Sequence, residues 1–507
     1  MTIFIIHDEI ITRAKVAFAA HAPLMSHRIH WRALTRTKGE AVRRPKRRDH
    51  LRIDDSFWVW LDTPGTPMHV AALAIFESES EAANVVVERV LTSFRQRTDL
   101  DPRFRLVIRM RRFPLRARRE QATDVDLDYH LRHHRLSGSE GEHALEQLVS
   151  RLQSIRLDPT RPMWEVHLID GLPGNRFAVY LKAHHSLVNG VDALRLLSRS
   201  LASDPDSSPP TPVWTIGRPL PRLTPADADT ADSPRSSRAK TIHAASKAAA
   251  KLWFAGLRST PLVSPFAATS SRFNIAIGPQ RHVCTASADL SIIKAIAKAS
   301  GTSLNDVVLA ACATALRRYL LDIGALPVKP LIAGCPVSIE APAGASDSSI
   351  GILFADLATD DSDPSARLAR ISRSTQTAKE HQAELPHPAL IPYAILAMAP
   401  HTLRQLVPGA AHLPPMFNLI ISNVPGPPQP LYLAGAQMTE LYPVSLLFKG
   451  EALNITAVSY AGRLQLGITA YAVALPHLRC LAQYFEASVE EMRRHYLAPL
   501  PDLTMPA

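Results

Sequence analysis

The segment His184-His185-Ser186-Leu187-Val188-Asn189-Gly190 holds the groups in this chain best suited to proton chemistry. An imidazole titrates near working pH, so it can take a proton from an attacking group and return it within one turnover. The pair of histidines alone carries no weight. With 21 His in 507 residues, roughly one His-His dipeptide arises by chance, and a second stands at His133-His134. Requiring Asp or Asn four positions after the second His, followed by Gly, lowers the chance expectation to roughly 0.003. His184 to Gly190 meets that requirement.

The elements that must position the segment can be read around it. Residues 163–169 and 176–183 have strand composition and flank the turn-forming stretch Gly171-Leu172-Pro173-Gly174-Asn175, a hairpin signal. Helical spacing begins after Gly190 with Val191, Leu194 and Leu197, which puts the two histidines in a strand-to-helix loop. Upstream, a strand is expected over 68–76 and a helix over 81–96. Over 103–111 the odd positions are mostly arginine and the even ones Phe104, Leu106, Ile108 and Met110, which predicts a strand with one buried and one arginine face. In the second half, helices are expected from Leu290 (capped by Asp289, stopped by Gly301) and from Leu304 to about 321, with Thr302 or Ser303 as N-cap. A strand over 327–339, helices over 365–384 and 389–406, a strand pair around Ala461-Gly462 and a closing helix over 476–496 complete the pattern.

Length and composition bound the function. A chain of 507 residues with 46% hydrophobic and 20% charged residues is globular and long enough for two domains. The net charge of +11 would favour a nucleic-acid or anionic-membrane partner if it were spread evenly. It is instead concentrated in residues 1–50, worth +7, and in residues 103–119, worth +8, leaving −4 for the remainder. Nucleic acid is therefore not the expected partner. The four cysteines, Cys284, Cys312, Cys335 and Cys480, form no Cys-x-x-Cys pair, which fits a reduced cytosol. Residues 1–52 read as a disordered basic extension without a secretion signal, with Met25 a candidate start. Residues 202–245 read as a Pro/Ser/Asp-rich linker between an N-terminal domain, 53–201, and a C-terminal domain, 246–498.

The histidine segment resembles the His-His-x-x-x-Asp-Gly motif of CoA-dependent acyltransferases, and its surroundings resemble the bacterial wax ester synthase/diacylglycerol acyltransferase family. Pro67-Met68-His69-Val70 is similar to that family's early Pro-Met-His, and Leu157-Asp158 with Arg161-Pro162-Met163-Trp164-Glu165 to its Leu-Asp and Arg-Pro-Leu-Trp-Glu. Further matches are Leu304-Asn305-Asp306-Val307, Cys335-Pro336-Val337-Ser338, Ser422-Asn423-Val424-Pro425-Gly426-Pro427, Tyr442-Pro443-Val444 and Ser459-Tyr460-x-Gly462. Two positions depart from the pattern. Asn189 stands where the family has Asp, and Gly351-Ile352 where it has Gly-Asn.

The resemblance implies an α/β fold of two chloramphenicol-acetyltransferase-like domains with mixed sheets, the active site and a substrate tunnel lying at their interface. It implies O-acyl transfer from a long-chain acyl-CoA to diacylglycerol or a long-chain alcohol, with no metal, covalent nucleophile or cofactor. His185 would be the general base and His184 its structural support, while Asn305, at a helix N-terminus, would help hold the oxyanion. Asn189, Gly190 and Asp306 would shape the loops. Pro162 and Trp164 have the character of strand packing residues, and Ser422 and Asn423 that of a turn; a tunnel-lining role is the sharper reading for all four. In relatives the motif Asp is read as an anion paired with a basic group, so Asn189 replaces a charge-assisted bond by a neutral one of roughly half the strength. That leaves a second expectation, a catalytically weakened paralogue that binds lipid or coats lipid droplets. A transferase acting on a polyketide or peptide intermediate ranks behind both. Insoluble substrates and two basic segments predict a cytoplasmic protein associated peripherally with the inner membrane face or lipid droplets.

Overall fold

The computed structural model describes residues 53–111, 116–137, 141–206, 210–217, 235–257, 262–265, 267–339, 349–407 and 413–497. The expected basic extension lies outside the described residues, as does much of the expected linker. Helix α1 (Ile53–Leu61) leads into strand β1 (His69–Glu77) and helix α2 (Ala83–Arg95). α2 buries Ala83, Val86, Val87, Val90, Leu91 and Phe94, the three-and-four spacing that identified it as a helix. The chain continues through β2 (Leu106–Arg111), β3 (Arg116–Gln121), α3 (Leu127–His130), β4 (Leu131–Arg135) and α4 (Gly141–Ser154) to the hairpin β5 (Trp164–Leu172) and β6 (Arg176–His184). Asn175, at φ 55° in that hairpin's turn, accepts the Ala83 N–H at 2.7 Å and so caps α2 from across the fold. Helix α5 (Gly190–Ser200) follows the histidines.

The second half comprises α6 (Arg235–Trp253), β7 (Arg281–Asp289), α7 (Leu290–Ser300), α8 (Leu304–Asp322), β8 (Ile332–Ile339), β9 (Ser349–Asp356), α9 (Pro364–Ala383), α10 (His387–Ala397) and α11 (Ala399–Leu406). Strands β10 (Leu419–Pro425), β11 (Tyr432–Leu433), β12 (Ala436–Val444), β13 (Leu453–Tyr460) and β14 (Arg463–Tyr471) precede the closing helix α12 (Leu478–Leu497). Asp289 caps α7 and Gly301, at φ 67°, ends it, as the sequence predicts. Of the two candidate caps for α8, Ser303 forms a reciprocal capping box with Asp306.

The strands form two mixed six-stranded sheets, ordered β11-β12-β1-β6-β5-β4 and β7-β14-β13-β10-β8-β9. The halves are therefore not separated by one cut at the linker. β11 and β12 arise from the second half yet close the first sheet, β12 pairing antiparallel with β1. Tyr460 at the end of β13 secures the exchange: its hydroxyl donates to the Met438 carbonyl at 2.8 Å and accepts the Leu431 N–H at 2.9 Å. β12 also lies across β14, where Gln465 Oε1 accepts the Leu441 N–H at 2.7 Å. At that crossing a side chain on Gly467 would stand 1.6 Å from the Pro443 carbonyl oxygen.

Helix α4 joins the sheets at another edge. Ser150 and Ser154 hydroxyls accept the N–H groups of Val283 and Arg281 on β7 at 2.9 and 2.8 Å, and Glu146 accepts that of Thr285 at 3.3 Å. Four helical residues rise about 6 Å and two strand residues about 6.6 Å, so every fourth side chain of α4 meets every second N–H of β7. The exposed edge of the second sheet is thereby closed.

Two expectations need correction. Residues 103–111 are not one strand: Pro102–Arg105 form a 3-10 turn with Phe104 buried, and β2 pairs only with β3 in a small separate ribbon. The turn shifts the register, so Val107 and Ile108 are both buried and the alternation fails. Arg109 lies 3.5 Å from Glu120, and Arg103 donates to the Ile216 carbonyl at 3.2 Å. The stretch 202–245 is also not wholly a tether. Ala202 and Tyr432 exchange backbone hydrogen bonds, Trp214 is fully buried in the first core, and α6 already runs from Arg235 with Ala245 buried in the second.

The Gly467 crossing has a direct test. Gly467→Ala forces β12 and β14 apart, an overpacking cost of about 3 kcal/mol or more. A thermal midpoint lowered by roughly 5 °C or more is expected in calorimetry, with Gly462→Ala, at φ 81° but with nothing within 4 Å of the added carbon, as the comparison for turn strain alone.

Candidate active site

β6 lies between β1 and β5, so successive N–H groups at its end point to opposite neighbours. The His184 N–H donates to the Met163 carbonyl at 3.0 Å and the His185 N–H to the Met68 carbonyl at 2.9 Å. Met163 belongs to the Arg-Pro-Met-Trp segment and Met68 to Pro-Met-His. Each of those segments thus supplies a backbone acceptor that holds one histidine.

The two rings then part. His184, which follows Tyr180 and Lys182 on one face of β6, is buried. Its Nδ1 accepts the Ser186 N–H at 3.2 Å and lies 2.7 Å from the Ser186 hydroxyl; the accepted N–H leaves the proton on Nε2, 3.8 Å from Asp62. Asp62 is itself buried, accepting Arg156 Nε at 2.8 Å and the Met68 N–H at 3.0 Å. Burial pushes the Asp62 carboxyl up, against the lowering effect of the Met68 N–H and Arg156. His185 instead stacks on Trp58 of α1, ring centroids 3.8 Å apart at 25°. Trp58 in turn meets Phe57 at 5.6 Å and Phe448 of the second half at 6.0 Å. Burial, reinforced by His184, lowers the His185 imidazole to about 4, with its own backbone carbonyl opposing. Burial and the nearby Arg156 bring His184 to about 3.

Behind the histidines lies a buried polar network on β4, β5 and β6. Lys182, fully buried, donates to the Leu152 and Ile155 carbonyls at 3.0 and 2.9 Å and lies 3.2 Å from Glu165. Burial alone would raise Glu165, but the His167 hydrogen bond and Lys182 bring it to about 2. His134 and His167 rings are bonded at 2.9 Å. On β1, His69 bonds the Gln153 carbonyl at 3.0 Å and is held well below its ordinary pKa by burial and Lys182.

The remaining expected residues fall into distinct places. Asn189 is the N-cap of α5, its Oδ1 accepting the Asp192 N–H at 2.8 Å. Asn and Asp serve that position equally well, and the ionic anchor beside the histidine loop is Asp62 with Arg156, so the missing charge at 189 removes no ion pair that this loop uses. A side chain on Gly190 would meet nothing within 4 Å, so backbone sterics do not demand glycine there. Trp164 is not a tunnel wall. It is fully buried in the first core, donates Nε1–H to the Phe104 carbonyl at 2.9 Å and stacks on His130 at 4.3 Å and Trp214 at 5.3 Å. Pro162 is buried beside it and accepts the Trp164 N–H at 3.0 Å.

Asp306 accepts the Ser303 N–H at 3.0 Å, the Thr375 hydroxyl at 2.6 Å and the Ser372 hydroxyl at 3.2 Å, tying the start of α8 to α9. Asn305 precedes it, half-buried in the first turn of α8. On β8, burial, with Asp306 second, pushes the Cys335 thiol up to about 12. Immediately there β8 and β10 part: they pair only at Leu419 with Ala333 and Ile420 with Gly334. Pro336, lacking an N–H, suits a strand unpaired on one side from that point. Ser422 and Asn423 are therefore not in a turn but on β10 beyond the parting, with only β13 beside them. No described hydrogen bond, ion pair or ring contact joins Asn305, Ser422 or Asn423 to the histidines. Trp58, Asp62 and Arg156 were not anticipated from sequence. The one available signal was the aromatic cluster Phe57-Trp58-x-Trp60 just before Asp62.

Two mixed six-stranded sheets sharing a strand exchange, with a paired-histidine loop at the end of a central strand, define an acyltransferase-type fold. The chain belongs to the wax ester synthase/diacylglycerol acyltransferase family: residues 51–308 match its catalytic domain and residues 348–493 its C-terminal domain. A probable diacylglycerol O-acyltransferase of Mycobacterium tuberculosis is 36% identical over 456 residues, 88% of this chain and 99% of that protein. The solved wax ester synthase/diacylglycerol acyltransferase from Marinobacter aquaeolei VT8 superposes with a TM-score of 0.69 at 32% identity, covering 88% of this chain and 99% of that one. The first condensation domain of the calcium-dependent antibiotic synthetase shares the fold at 15% identity, with a TM-score of 0.56 over 89% and 96% of the two chains.

The site makes two measurable claims. Trp58→Ala opens one face of His185 to water, so its NMR titration should move up from about 4 by roughly 1 to 2 units toward 6.5, while Trp58→Phe should move it little. In the folded protein His69, His184, His185 and His401 all sit below the unfolded value, so the unfolded chain binds more protons below about pH 6.5 and stability falls as pH drops through 6.5 toward 4. Each histidine contributes a slope of about 1.4 kcal/mol per pH unit. Glu451 and Asp62, both raised by burial, act in the opposite sense, two groups against these four. Calorimetry at pH 7.5, 6 and 5, taken as about one titration range, should give steadily lower midpoints.

Proposed function

We propose that this protein transfers a long-chain acyl group from acyl-CoA to the hydroxyl of diacylglycerol or a long-chain alcohol, with His185 as general base. The observation that carries the reading is the His185 ring, held neutral by burial and stacked on Trp58 at a loop whose backbone is pinned on both sides. With the ring proton on the buried Nδ1, Nε2 is the basic nitrogen. The acceptor hydroxyl gives its proton to Nε2 as its oxygen bonds to the thioester carbon. The resulting oxyanion takes hydrogen bonds from the Asn305 side chain, aided by the positive end of α8. The C–S bond then breaks, and the imidazolium returns the proton to the CoA sulfur. His184, fixed by Ser186 and facing Asp62, holds the loop rather than the substrate.

In this reading the parting of β8 and β10 opens the path for the chains, with Ser422 and Asn423 along it. Acyl-CoA is a substrate, and no step calls on another group. The acceptors are insoluble, and no helix among the described residues is long and apolar enough to cross a membrane. We therefore place the enzyme peripherally on a membrane or lipid-droplet surface.

Release of CoA from palmitoyl-CoA, with diacylglycerol and hexadecanol as acceptors, tests the reaction. His185→Ala should lower turnover by about 10³-fold, and equal release by wild type and variant sinks the assignment. Asn189→Asp should stay within about threefold of wild type, because both residues cap α5 and the added charge is worth only about 0.3–1 kcal/mol. Activity that appears only in Asn189→Asp would mark the natural protein as a weakened paralogue.

A further inference from the structure

Thirteen large apolar side chains are exposed among the described residues, and seven of them fall on α6 with the turn that follows it, α10 and α11. α10 packs along α6, and α11 follows α10 after Met398. The sequence of α10, HPALIPYAILA, contains no Asp, Glu, Lys or Arg. It buries Ala389, Tyr393 and Ala397 and leaves Ile391 and Ile395 48% and 66% exposed. A helix apolar on every side is ordinarily covered on every side. α11 turns His401, Arg404 and Gln405 inward and leaves Leu403 and Leu406 outward. α6 buries Ala245, Ala248, Ala249 and Leu252; its opposite stripe carries Lys240, His243, Lys247 and Lys251 and ends in the exposed Phe254. Lys251 is bonded to Glu384 at 2.8 Å, whereas Lys240 and Lys247 stand exposed.

We propose that the outer face of α6, α10 and α11 docks on the surface of an anionic lipid bilayer. Apolar side chains beside a stripe of lysines match the acyl boundary and the headgroups of such a surface. The position of the face supports that occupant. On the inner side of α11 the His401 ring packs on Phe448 at 5.0 Å, Phe448 on Trp58 at 6.0 Å, and Trp58 on His185. A single helix, about 10 Å across, thus separates the docking face from the aromatic run that ends on the proposed base. The docking surface rests on the proposed reaction only in that an enzyme with bilayer-dissolved acceptors gains from this placement.

Flotation of the full chain with phosphatidylcholine vesicles, with and without roughly 30% phosphatidylglycerol, tests it. Wild type should float with the anionic vesicles. Ile391→Asp/Ile395→Asp and Lys240→Glu/Lys247→Glu should each lower the bound fraction by about tenfold. Val328→Asp, at an exposed position in the connection between α8 and β8, should bind as wild type, and all variants should keep the wild-type rate of CoA release with a short water-soluble alcohol. The proposal falls if wild type does not float, or if Ile391→Asp/Ile395→Asp floats as well as wild type, the result expected if the basic residues 1–50 did the binding. Flotation needs no turnover, so an inactive wild type that floats would refute the reaction and still support the surface.

Discussion

The arrangement of this protein depends on the crossing of β12 over β14. A strand from the second half completes the first sheet, so the two sheets cannot be separated without breaking a ladder. The crossing is close enough that the Pro443 carbonyl occupies the place where any side chain at 467 would begin. Gln465 and Thr469, on either side of that glycine, accept the N–H groups of Leu441 and Ser445 across the gap, and Tyr460 fixes the return of the exchanged strand. The second half thereby reaches the histidine site: Phe448, four residues beyond β12, stands behind Trp58.

That placement turns short segments scattered along the chain into one support. Pro-Met-His and Arg-Pro-Met-Trp act here less through their side chains than through the carbonyls of Met68 and Met163, which hold the histidine backbone from its two neighbours. The large residue in each segment packs: Trp164 fills the first core, and His69 closes a bond to α4. Ser-Asn-Val-Pro-Gly-Pro and Ser-Tyr-x-Gly meet where Gly426 approaches the Ser459 carbonyl so closely that a side chain would stand 2.3 Å from it. A motif read as chemistry is in these cases a motif of backbone approach.

The electrostatics of the site follow from burial more than from pairing. His184 and His185 are both kept neutral by loss of water, so the proposed base would be unprotonated throughout the physiological range, at the cost of proton affinity. The ion pairs lie behind the reacting face, Asp62 with Arg156 and Glu165 with Lys182, where they fix elements without charging the ring that would meet substrate.

The histidine loop, its strand and helix, most helix limits and the family were legible in the sequence, because periodicity, caps and turn residues act over a few positions. Asn189 could be read as a residue that shapes the histidine loop, but its work as the cap of α5 could not, since whether a carboxylate there would meet a cation depends on what lies across the loop. The strand expected over 103–111 failed because a proline-led turn changed the register by less than the pattern could show. The start of α6 was taken for linker because its Ser, Arg and Lys residues over 235–241 continue the polar composition before it and leave no apolar stripe. The β12 exchange, the stacking of Trp58 on His185 and the anchoring of that loop by Asp62 and Arg156 were decided only in the tertiary structure. Each joins residues separated by about 90 to 380 positions, a range over which local spacing holds no information and packing alone selects the partner.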